Sequence, residues 1–103
     1  MEKNFRDRVR GCLIAGAIGD ALGYVVEFDQ WPTIRRRYGE SGIQALECDP
    51  RTGTAIISDD TQMTLFTANG LLLSEARGQR PAEGWIYAAY LYWLRTQRPN
   101  ARS

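Results

Sequence analysis

The chain holds 103 residues, 44% of them hydrophobic and 24% charged, with a net charge of +1. That is ordinary globular composition for one small domain; it excludes disorder, and it lacks the basic surplus that draws a protein to nucleic acid or an anionic membrane. Histidine is absent, so any chemistry must run on carboxylates, hydroxyls and hard oxygen-bound metals rather than on Ser–His or Cys–His pairs, zinc or haem.

The first predicted helix runs from about Asn4 to Leu22, because Phe5, Val9, Leu13 and Ala17 recur every four residues with Cys12 and Ala21 alongside. Cys12 reads as a small buried apolar residue in that pattern, and Cys12 with Cys48 has neither metal-ligand spacing nor the look of a disulfide framework. Gly11, Gly16 and Gly19 lie inside the helix, where each costs ~1 kcal/mol relative to Ala. Tolerating all three predicts that another backbone approaches closely. Gly23 is the expected stop. Lys3, Arg6, Arg8 and Arg10 followed by Ala15-Gly16-Ala17 imitate a signal peptide, but Glu2 and Asp7 interrupt the basic stretch and the apolar core is too short. The run to Asp20 also falls short of the ~20 apolar residues of a membrane span. The expectation is a soluble, cytoplasmic chain.

Residues 24–57 read as irregular, with a short helix capped by Thr33 and ending at Gly39, turns at Asp49-Pro50 and Thr52-Gly53, and a β-favouring stretch at Thr54–Ile57. Arg35-Arg36-Arg37 is either a solvated helix face or a phosphate contact, and no glycine-rich phosphate loop accompanies it. A second long helix is predicted to start at Asp59 with Ser58 as its N-cap and to stop before Gly78. A third begins near Pro81 as a first helical residue and ends near Thr96, before Pro99. Met63, Leu65, Phe66, Leu71, Leu72 and Leu73 surround the second of these, and Trp85, Ile86, Leu91, Tyr92, Trp93 and Leu94 much of the third. Helices apolar on every side belong inside a larger all-α body, or associate to cover themselves. Tyr87, Tyr90, Tyr92 and Trp93 read as packing residues rather than a stacking platform for bases.

Ser58-Asp59-Asp60-Thr61 supports two readings. One is a serine cap followed by acids that complement the helix dipole. The other is a hard-metal site, in which neighbouring carboxylates diverge by ~100° and so suit separate ions or a bridge between two. Further ligands would have to come from elsewhere. Asp20, in Gly19-Asp20-Ala21-Leu22-Gly23, opposes the dipole near a helix end and needs a hydrogen-bond donor. Glu27 lies between apolar neighbours, either turned to water or available for general acid–base work.

The stretches GCLIAGAIGDALGYVVEF (11–28) and ISDDTQMTLFTANGLL (57–72), in that order, resemble the ADP-ribosylglycohydrolase family, with the nearest look to bacterial ADP-ribosyl-dinitrogen-reductase hydrolases. The resemblance implies an all-α fold, the N-terminal part of an orthogonal helical bundle, and cleavage of the bond between ADP-ribose and a protein side chain or small acceptor. It also implies a binuclear magnesium or manganese centre. The family's first metal motif falls on Ser58, Asp59 and Asp60, with Thr61 as support. The catalytic or substrate-gating glutamate falls on Glu27, the aspartates share in catalysis, and Asp20 takes a structural role. The implied partners are an ADP-ribosylated protein or an ADP-ribose-containing small molecule, with neither nucleic acid nor membrane. The family's second metal motif, an Asp-x-Asp-Thr type, has no counterpart in residues 73–103. Residues 1–103 are therefore expected to be the N-terminal portion of a single such domain, completed by a C-terminal portion or by self-association. The alternative is a non-catalytic structural or interaction module that keeps the family's helices, as in family-related lens crystallins.

Overall fold

The computed structural model describes residues 2–78 and 81–98. Four helices make up the fold and no strand occurs among the described residues, so the class is all-α as expected. The chain divides into two compact units, Met1–Ser58 and Asp59–Ser103.

In the first unit, α1 spans Lys3–Tyr24 and α2 spans Trp31–Tyr38. Helix α1 runs past its predicted stop. A glycine ends a helix most readily in the left-handed region, and Gly23 is not among the positive-φ glycines. The helix loosens instead through bonds of Val26 N–H to Gly23 O (3.1 Å) and Glu27 N–H to Tyr24 O (3.3 Å). Only Ala21 of α1 is buried. Cys12 is exposed, which corrects the expectation of a buried thiol, and both cysteines are free. The close backbone expected at Gly11, Gly16 and Gly19 is also not there, since a methyl group added at any of them meets no atom within 4 Å.

Helix α2 begins earlier than its predicted Thr33 cap. Pro32 tolerates the first turn, where its missing N–H would be unpaired anyway, and the Gln30 carbonyl accepts from Thr33 and Ile34 N–H at 3.0 and 3.1 Å. Gly39 ends the helix as expected, at φ 87 with its N–H on Arg35 O (2.8 Å). The arginine triplet is engaged locally: Arg35 pairs with Glu40 (3.1 Å), Arg37 with Asp29 (2.9 Å), and Arg36 donates to Thr33 Oγ1 (3.3 Å). That is the solvated-face reading. Tyr38 donates to Glu47 (2.7 Å) and accepts from Arg37 (3.0 Å). The remaining segment turns at residues 49–53, where Arg51 N–H bonds the Asp49 carboxylate (2.8 Å) and Gly53 N–H the Asp49 carbonyl (2.7 Å). The β-favouring stretch yields only an isolated antiparallel bridge, Cys48 to Ala55.

The second unit is a helical hairpin of α3, Asp59–Arg77, and α4, Ala82–Thr96. Its boundaries agree with the expected ones to within a residue. Pro81 is the cap rather than the first helical residue, and Pro99 lies outside the described residues. Gly78 closes α3 at φ 56 with its N–H on Ser74 O at 2.9 Å. The helices of the hairpin approach closely at Gly70, where an added Cβ would stand 2.9 Å from Ile86 Cα. Trp85 and Ala89 of α4 are buried, as are Thr61 and Gly70 of α3. Gln62 Oε1 accepts from both Trp93 Nε1 (3.1 Å) and Gln97 Nε2 (3.0 Å). Thr67 gives its hydroxyl proton to Met63 O (2.8 Å), so in its contact with Tyr90 the phenol is the donor.

Apolar residues of the encircling pattern reach the surface: Leu65, Leu71 and Leu91 are half-exposed, and Leu72 and Tyr92 are 67% and 61% exposed. Tyr87, expected to pack, is 67% exposed, because it lies on a side of α4 that nothing in the second unit covers. No helix among the described residues is long and apolar enough to cross a membrane.

Candidate active site

The site begins with Asp20, which carries a negative charge near the electronegative end of α1 and therefore requires donors. They come from far along the chain: Ser58 N–H donates to Oδ2 at 2.8 Å and Ser58 Oγ donates to Oδ1 at 2.7 Å. Both carboxylate oxygens thus bear on one residue. Ser58 is buried, at 9% exposure, and Asp20 is half-buried. A hydroxyl that has committed its proton in this way acts toward other groups through its lone pairs. The need for a donor was visible in the sequence; the identity of the donor, 38 residues away, was not.

Asp59 and Asp60 follow Ser58 directly and form the first turn of α3, both exposed. The positive end of the helix dipole favours charge there. Thr61 is buried. Thr64 Oγ1 donates to the Asp60 carbonyl at 2.9 Å. Glu27 is exposed in the turn after α1, with its backbone N–H on Tyr24 O. The structure therefore joins Asp20 to Ser58 by hydrogen bonds and joins Ser58 to the two aspartates through the chain itself.

The donors at Ser58, Asp59 and Asp60 are one hydroxyl and two carboxylates, the oxygen chemistry that magnesium and manganese select. The Ser58 proton, already given to Asp20, makes that hydroxyl a competent neutral donor. In kind, the residues fit a hard divalent ion. In number they are a partial set, because the described residues contain no group of three or more His, Cys, Asp or Glu side chains that could hold an ion.

Comparison with known proteins gives a family match over the whole chain: the ADP-ribosylglycohydrolase family corresponds to residues 1–103. The chain is 37% identical over 75 residues to the mouse (Mus musculus) protein named ADP-ribosylhydrolase ARH3, a match covering 67% of this chain and 20% of that protein. It thus spans about a fifth of the length of that curated relative. No solved structure matches significantly.

Proposed function

The chain belongs to the ADP-ribosylglycohydrolase family, and from that premise we propose that it carries the N-terminal part of a metal-dependent hydrolase that removes ADP-ribose from a protein side chain or a small acceptor. The observation that carries this reading is the sequence Ser58-Asp59-Asp60 at the start of α3, with a buried serine held by Asp20 and two exposed acids. First-turn acids also complement the helix dipole; what supports the metal reading is that they follow a serine clasped by Asp20 in a chain of this family.

The reaction breaks the bond between the anomeric carbon of ribose and the acceptor heteroatom. Water oxygen bonds to that carbon, and its proton passes to the leaving group. Positive oxocarbenium character develops at the anomeric carbon on the way. Ser58, Asp59 and Asp60 would hold a pair of magnesium or manganese ions, completed by ligands beyond these residues. When bound, such ions supply Lewis-acid polarisation of substrate and water oxygens. Carboxylates close to the anomeric carbon offset the developing positive charge. Glu27 orients the substrate or relays that proton from the attacking water to the leaving heteroatom, a role that its exposed place in a turn leaves sterically open.

The test is a manganese titration in the presence of ADP-ribose, on this chain and on a version extended downstream with the rest of a family domain. Saturable binding, weakened sharply by Asp60→Asn, is expected. Binding confined to the extended form identifies residues 1–103 as one portion of the site. No binding in either form, or unchanged affinity in Asp60→Asn, overturns the hydrolase reading in favour of a non-catalytic module.

A further inference from the structure

We propose that Asp20 is a positioning residue for the metal-binding serine: it orients the Ser58 hydroxyl so that its oxygen presents lone pairs, and not a proton, to the ion. This rests on the metal-dependent reading above and assigns Asp20 a role in it beyond holding the fold.

The geometry carries the argument. A serine hydroxyl left alone samples three staggered side-chain wells and a freely rotating proton. Here Asp20 fixes two points of the same residue at once, the backbone N–H at 2.8 Å and Oγ at 2.7 Å. The amide contact sets where the Ser58 backbone lies, and the hydroxyl contact selects the rotamer and the proton direction. Bonds to an ionised acceptor are the strong class, and Ser58 is buried enough to shield them. A neutral hydroxyl is a useful ligand for a hard cation only when its proton points elsewhere, and Asp20 supplies that destination. Carboxylates that orient ligands from behind in this way are worth about 10–100-fold in metal affinity.

A merely structural clasp would lower stability and leave the serine oxygen without special consequence, so the experiment separates the two. Manganese affinity is measured by the electron paramagnetic resonance signal of free Mn2+, for wild type, Asp20→Ala, Ser58→Ala and the double variant, in whichever form of the protein binds manganese. Asp20→Ala is expected to weaken binding about 10–100-fold, and to cause no further loss once Ser58 is alanine. Should Asp20→Ala fail to fold, Asp20→Asn keeps the shape and one acceptor oxygen. It is expected to show an intermediate affinity and, without metal, faster hydrogen exchange at the Ser58 amide. Native affinity in a folded Asp20 variant, or an equal loss in both serine backgrounds, overturns the positioning role while leaving the hydrolase reading intact. A wild-type protein that binds no manganese in either form overturns both.

Discussion

Gly70→Ala tests the packing of the hairpin by adding a single methyl group. In an open helix the change would stabilise, since alanine is favoured over glycine by up to ~1 kcal/mol. At Gly70 the new Cβ would lie 2.9 Å from Ile86 Cα and 3.1 Å from both Ile86 N and Trp85 O. All three are backbone atoms, so no rotamer change relieves the clash and the helices must separate or shift. Overpacking costs about 1–3 kcal/mol, and rigid neighbours put this case at the upper end. After subtracting the propensity gain, a net loss of about 2 kcal/mol is expected, or roughly 8–16 °C in Tm for a chain of this size. Gly16→Ala is the internal control. It meets no atom within 4 Å and should raise stability by about 0.5–1 kcal/mol. Thermal unfolding followed by circular dichroism at 222 nm reads both. A Gly70→Ala variant as stable as wild type would refute the close contact and the reasoning built on it.

Three further outcomes are expected. Hydrogen bonding to Glu47, first, and then desolvation raise the Tyr38 pKa above its ordinary value of 10.0. Its contribution to stability is therefore complete below about pH 10 and lost as pH rises through the folded-state value; the Tyr38 ring 13Cζ NMR titration should move down toward 10.0 in Glu47→Gln. Thr67→Val should destabilise more than Tyr90→Phe in urea unfolding, because the first strands a half-buried phenol donor whereas the second leaves the Thr67 hydroxyl bonded to Met63 O; about 1–3 kcal/mol against about 0.5–1.5 kcal/mol is expected. The isolated chain should bind the apolar dye ANS and self-associate in size-exclusion chromatography, both reduced by Leu72→Lys with Tyr87→Lys, since these exposed side chains gain by being covered.

The long helices were legible because their signals are local: hydrophobic periodicity, Ser58 before acids, a glycine at position 78. The contacts between segments were less so. Three glycines in α1 drew the expectation of a close backbone, yet the tight approach is at Gly70, within a Leu-rich stretch where nothing in the spacing sets it apart. Whether a glycine faces a neighbour depends on helix rotation and crossing, which composition does not encode. Cys12 was misjudged for the same reason: periodicity marks an apolar face and says nothing about whether anything covers it. Ser58-Asp59-Asp60 was readable as a helix start, and Asp20 as a charge needing a partner. Their connection required coordinates.

The bond between Asp20 and Ser58 also bears on how freely the intervening polypeptide can change. Holding two distant points together has an entropic cost that grows only logarithmically with the length enclosed, about 0.6 kcal/mol for each doubling. The enclosed segment contains an exposed turn at residues 50–53. Extra residues spliced into that turn would leave the serine anchored at little thermodynamic penalty. Evolution could therefore remodel this segment in size and sequence while the carboxylate at the end of the first helix kept its grip on Ser58.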